Sequence, residues 1–156
     1  MNDSTDKHTP ANTTFEYEGA PQVSPNAEQI KKRRKTLELF SAAWSNGDVD
    51  ALLDLMSENP VYKGSTGEGP GTSFTGREEV RANLARMVSS NKPSDTNEDP
   101  VPPPQMYFFA DRALVYWHLT LAAADGSSNE VDGVDVITFT DDGRIAVKDA
   151  YRKAFT

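Results

Sequence analysis

The spacing of apolar residues changes character along the chain, and the changes divide it into elements. From Ala27 onward Ile30, Leu37, Phe40 and Trp44 recur at spacings of 7, 3 and 4 and share one face of a helix. The Asn46-Gly47 pair stops that helix. Asp48 can cap a second, short one, in which Val49, Leu52, Leu53 and Met56 follow helical spacing and which ends before Pro60. Thr75-Gly76-Arg77-Glu78 reads as a capping box, with Thr75 offering its hydroxyl and Glu78 reaching back. It launches a third helix whose apolar stripe is Val80, Leu84, Met87 and Val88. After Gln105 the period falls to two, and four antiparallel strands are expected at 105–110, 113–123, 130–140 and 144–154. Helices first and sheet second define an α+β domain, with three N-terminal helices packed on a curved antiparallel sheet and a pocket enclosed between them.

The segments between these elements read differently. Residues 1–26 hold only Phe15, Tyr17 and Val23 as sizeable apolar groups, too few to offset the entropy of ordering them. They are expected to be a mobile arm, leaving 27–156 as one domain. Gly64, Gly67, Gly69 and Gly71 suggest a phosphate loop, but the Gly-Lys-Ser/Thr ending is missing, so the stretch is read as a rim or lid. Residues 91–104 contain five prolines and form a surface connection.

Composition narrows the functional classes. With no cysteine there is no disulfide and no thiolate chemistry, which suits a reducing cytoplasm, and neither a membrane span nor a signal peptide is evident. A formal charge of −8 opposes nucleic-acid binding, so the run Lys31, Lys32, Arg33, Arg34 and Lys35 is read as a solvated helix face. His8 falls in the arm and leaves His118 alone, and no carboxylates stand at metal-ligand spacing, so neither metal nor cofactor is expected.

Three strings fall in a telling order: Asn46-Gly47-Asp48-Val49-Asp50-Ala51-Leu52-Leu53, Phe74-Thr75-Gly76-Arg77-Glu78-Glu79-Val80, and Gly133-Val134-Asp135-Val136-Ile137-Thr138-Phe139 with Asp142-Gly143-Arg144-Ile145. Over residues 28–155 the chain resembles the nuclear transport factor 2-like superfamily, nearest its ketosteroid isomerase and SnoaL-like polyketide cyclase branches. The resemblance implies a cone-shaped fold, and it places Asp135 where the isomerase keeps an aspartic acid that hydrogen-bonds a developing oxyanion. It also places Phe40 where that enzyme has a tyrosine, and Val61-Tyr62-Lys63-Gly64, with no carboxylate, where it has its base. Steroid isomerisation by that mechanism is therefore disfavoured. Epoxide hydrolysis of the limonene hydrolase type would want an aspartate at Ala150. Members commonly pair through the outer sheet face, which implies a homodimer.

Hairpin geometry suggests what replaces the missing groups. If the turn near Asp125 is centred between Gly126 and Ser127, His118 stands opposite Asp135, with Leu114, Tyr116, His118 and Thr120 inward and Val115, Trp117, Leu119 and Leu121 outward. An imidazole beside a carboxylate suits acid-base work near neutral pH; a purely structural pair is the alternative. A two-residue turn at Asp142-Gly143 would put Asp135 opposite Ala150, with Lys148 and Arg152 as diagonal neighbours. A three-residue turn would instead put Ile145, Val147, Asp149 and Tyr151 inward. Trp44, Tyr62, Tyr107 and Tyr116 are candidate walls for an apolar cyclic ligand, Tyr62 and Tyr116 foremost because each also offers a hydroxyl. The resulting expectation is a cofactor-independent isomerase, cyclase or lyase acting on an apolar cyclic or polyketide-like compound. Asp135 and His118 would be catalytic, and Tyr62, Trp44, Tyr116, Phe40, Lys148 and Arg152 would contact substrate. The rival is a non-catalytic binding or assembly module.

Overall fold

The computed structural model describes residues 24–67, 69, 71–90, 103–122 and 126–153. Residues 1–23 of the expected arm, most of the proline-rich connection and the tip of the turn at Asp125 lie outside them. Helix α1 (Ala27–Asn46) begins where Asn26 accepts the Gln29 amide and Gln29 returns a side-chain bond, a reciprocal cap. It ends at Gly47, whose φ of 68° is the left-handed conformation glycine tolerates best. Helix α2 (Val49–Asp54) is capped by Asp48, which accepts from the Ala51 amide at 3.0 Å.

The chain then departs from the helical reading. Met56–Lys63 is not the end of a helix and its loop but a strand, β1, paired with the short β2 (Ser73–Thr75). Met56 is buried on this strand, where Tyr62 also turns inward. Pro60 is accommodated because the ladder shifts register between Met56 and Val61, and its carbonyl accepts the Gly76 amide. Helix α3 (Arg77–Ser90) follows, but Glu79, not Glu78, reaches back to the Thr75 amide, at 2.9 Å.

The remaining strands are β3 (Gln105–Phe109), β4 (Arg112–Ala122), β5 (Ser128–Phe139) and β6 (Ile145–Arg152). The six strands form one curved, unclosed sheet in the order β2-β1-β6-β5-β4-β3. It is mixed and not wholly antiparallel, because β1 lies parallel to β6. Leu37, Phe40, Leu52, Leu53, Val80 and Leu84 from the helices meet Met56, Ala113, Ile137, Phe139 and Ile145 from the sheet in a continuous core. The basic run is not wholly solvated. Arg33 is buried, donates to the Ala110 carbonyl and lies over the Phe139 ring, while Arg34 stacks on Phe108.

Two registers decide which side chains face the helices. On β4 and β5 His118 pairs with Asp132, and Asp135 pairs with Val115. The register differs from the expected one by three residues, an odd number, so the expected faces are exchanged: Val115, Trp117 and Leu119 are inward and Tyr116 and His118 outward. At the last hairpin both turn readings contribute. Phe139 pairs with Ile145 across a three-residue-type turn, but Thr138 pairs with Val147, so Ala146 is bulged out. Beyond that bulge Asp135 stands opposite Ala150, and Ile145, Lys148 and Ala150 are all buried.

Candidate active site

One inward row crosses five strands: Tyr62, Lys148, Ile137, Ala113 and Phe108 stand side by side. The next holds Ala150, Asp135, Val115 and Met106. Lys148 and Asp135 are thus diagonal neighbours on adjacent strands, and Lys148 Nζ lies 2.7 Å from Asp135 Oδ2 with both side chains almost wholly buried. Lys148 Nζ also sits 4.9 Å from the centre of the Tyr62 ring and 5.8 Å from that of Trp44. Trp44 in turn packs on Phe40, with ring centres 6.2 Å apart. Phe40 has no polar atom to offer and belongs to the core.

Burial by itself would push the Lys148 ammonium towards neutrality. The Asp135 carboxylate, helped by Tyr62, outweighs that and holds its pKa above the ordinary lysine value. The other carboxylate oxygen is different. Asp135 Oδ1 is buried and has no hydrogen-bond partner among the described residues.

A cavity of about 250 Å³ is lined by Tyr62, Phe74, Asn83, Arg86, Met87 and Arg152 with the glycine-rich stretch; Asp135 and Lys148 do not line it. Tyr62 belongs to both places, lining the cavity while its ring lies against Lys148. The glycine-rich stretch forms one rim through Gly64, Ser65 and Thr66. It is tied shut by the Gly64 amide donating to the Thr72 carbonyl and the Thr72 amide to the Thr66 carbonyl.

Of the residues singled out from sequence, Asp135, Lys148, Tyr62 and Trp44 are brought together here, and Arg152 shares the cavity wall with Tyr62. His118 and Tyr116 are not. His118 Nδ1 is 2.9 Å from Asp132 Oδ1 on the outer face, and Tyr116 lies half exposed against Tyr107, ring centres 6.0 Å apart. The His118–Asp135 pair fails because His118 pairs with Asp132, three residues away, which changes the parity of β4 against β5. The signal that could have set this register is Gly133. It faces Trp117, and a Cβ there would come within 2.0 Å of the indole, so a bulky ring needs a glycine opposite. Asn83 was overlooked. It is buried beside the cavity, three residues after Val80 on the same helical face. No three His, Cys, Asp or Glu residues among those described are grouped to hold a metal, and no helix there is long and apolar enough to cross a membrane.

A helix layer over a curved, unclosed mixed sheet, with a polar group buried between them and a cavity beside Tyr62, defines a cone of the nuclear transport factor 2-like fold. The chain belongs to the SnoaL-like domain family, which matches residues 37–148. Among solved structures it is similar to a candidate isomerase of Bacillus subtilis at 21% identity, covering 80% of this chain and 88% of that one with a TM-score of 0.66. It is also similar to the epoxide hydrolase/cyclase-like enzyme SalBIII of pyran ring formation in salinomycin, at 19% identity, 80% and 92% coverage and a TM-score of 0.63. A steroid delta-isomerase of Pseudomonas aeruginosa aligns at 15% identity over 80% and 81% of the two chains, with a TM-score of 0.59. No curated protein matches the chain by sequence.

Proposed function

We propose that the chain is a cofactor-independent enzyme that moves a proton on a small, largely apolar cyclic or polyketide-like compound, as an isomerase, cyclase or lyase. Asp135 is the proton-transferring carboxylate, and Lys148 is the cation paired with it. The observation that carries this reading is the asymmetry of the carboxylate: Oδ2 is held by Lys148, while Oδ1 is buried without a partner. An unpaired buried oxygen is costly unless something else meets it, and a substrate proton is such a partner.

The chemistry follows from the charges. The ionised carboxylate removes a proton from a carbon next to a carbonyl, leaving an enolate. As Asp135 becomes neutral, the charge of Lys148 is released to stabilise the new anion, with the Tyr62 hydroxyl as an additional donor. Return of the proton to another atom isomerises the compound. Attack of the carbanion on a second carbonyl closes a ring, and expulsion of a leaving group is the lyase outcome. The cyclase and isomerase names among the similar structures support this range of reactions at the level of fold.

The test has two stages. A panel of cyclic ketones and polyketide fragments is screened by ligand-induced thermal shift, and hits are incubated in D₂O with deuterium incorporation followed by NMR. The enzyme reading expects exchange catalysed by the wild type and reduced on the order of 100-fold or more by Asp135→Asn, with binding retained. Binding without exchange in the wild type would instead identify a non-catalytic binding module.

A further inference from the structure

We infer that the substrate is an organic acid, its carboxylate received at the cavity mouth by Asn83 and Arg152. This rests on the enzyme reading above, with the cavity beside Tyr62 taken as the place where its substrate binds. Asn83 is 3% exposed, and its Oδ1 accepts a hydrogen bond from Arg86 at 2.8 Å. A guanidinium can only donate, so this bond fixes the amide orientation and leaves Nδ2 as the donor. That Nδ2 is buried and has no acceptor among the described residues. Arg152, exposed at the end of β6, lines the same cavity and has no ion-pair partner among the described residues.

The donors therefore await an acceptor in a chain whose formal charge is −8, where placing cations at a cavity wall runs against the overall balance. A planar carboxylate matches a guanidinium fork on one side and an amide N–H on the other. Spacing supports the same assignment. Arg152 pairs with Gly133, and Asp135 is two residues further along β5, a rise of about 7 Å. That is the length of one ring with a substituent. The cavity, at about 250 Å³, lies just below the roughly 300–1,000 Å³ of most small-molecule sites. The acid is accordingly small, carrying its carboxylate at one end and its acidic C–H at the other.

The experiment compares cyclohexanecarboxylate, benzoate and 4-oxocyclohexanecarboxylate with their methyl esters by isothermal titration against wild type, Arg152→Met, Asn83→Asp and Asp135→Asn. Asn83→Asp is isosteric and keeps an acceptor for Arg86 but replaces the donor by a negative charge, so Asn83→Leu, which removes the donor without adding charge, is measured beside it. The acids are expected to bind at least about tenfold more tightly than the esters, as a charge-assisted hydrogen bond provides. Arg152→Met, Asn83→Asp and Asn83→Leu should each remove most of that preference, and Asp135→Asn should leave it intact. Esters binding as well as acids, or a preference that survives the mouth variants, would overturn the inference. An acid preference dependent on Arg152, with no deuterium exchange in any acid, would sustain it while sinking the enzyme reading. Exchange with equal affinity for acids and esters would do the reverse.

Discussion

Lys148 and Asp135 form an ion pair with 2.7 Å between nitrogen and oxygen, both side chains nearly removed from water. Breaking such a pair from one side leaves an uncompensated charge in a low dielectric. Lys148→Met should therefore destabilise the protein by about 3–5 kcal/mol. The double variant Asp135→Leu/Lys148→Met should recover most of that loss while remaining inactive. Urea melts with linear extrapolation, run beside the exchange assay, check both halves.

The alkaline limb of stability carries the signature of the same pair. Asp135 raises the folded-state pKa of Lys148 above the 10.5 of a free lysine. The ammonium therefore contributes stability in full below that value and loses it as pH rises through the higher folded one. Melting temperatures from pH 7 upward should fall more steeply above about 10.5 in the wild type than in the double variant. Parallel curves would contradict the buried charge.

His118 has no part in the site, and its replacement by alanine should leave turnover and ligand affinity unchanged. Its measurable effect is on Asp132, whose pKa the His118 hydrogen bond holds below the ordinary 3.8. NMR titration should show the Asp132 value moving up in His118→Ala. Because the folded value is depressed, this contact adds stability above 3.8 that disappears as the pH falls through the folded value. The effect is small for so exposed a pair.

Ala110 occupies the β3–β4 turn with φ of 47°, a conformation that strains any residue with a Cβ. Arg33 binds the backbone carbonyl there, so Ala110→Gly keeps the contact. Relief of strain, less the greater freedom of glycine in the unfolded chain, should leave a net gain of about 0.5 kcal/mol. Thermal unfolding of the single variant is sufficient to detect it.

The outer face of the sheet carries a row in which Tyr116, Val134 and Tyr151 stand abreast on three strands, with Tyr107 beside them. All three tyrosines are about half exposed, a large aromatic patch for a monomer. We expect a homodimer through this face, and Tyr116→Glu should dissociate it. Sedimentation at micromolar concentration distinguishes one 17.1 kDa chain from two.

The helices were legible because their caps are chemical: Asn46-Gly47, Asp48 and Thr75 with its acidic neighbours each announce a terminus. Strand β1 was not. Leu52, Leu53 and Met56 satisfy a helical period across what is a helix-strand junction, and Pro60 argues against a strand that in fact bends around it. Within the candidate site, Asp135 and Lys148 were reachable through the resemblance and one turn alternative, and Tyr62 and Trp44 as aromatic residues suited to a ligand's wall. Tyr116 and His118 were misassigned because a hairpin's parity depends on the exact centre of its turn. The Trp117–Gly133 fit, which fixes that centre, is a matter of volume and not of hydropathy.

The bulge at Ala146 bears on how the last strand chooses its frame. In a regular strand continuing from Ile145, Val147, Asp149 and Tyr151 would turn inward, a more apolar set than the one found. Hydrophobicity alone would thus pull β6 out of its bulge. That frame, however, would bring the Asp149 carboxylate to the inner face near Asp135 and expel Lys148, replacing an attraction by a repulsion where water cannot screen it. The ion pair acts as a register lock, and any change that neutralises Asp135 also loosens the grip that keeps the final strand in frame.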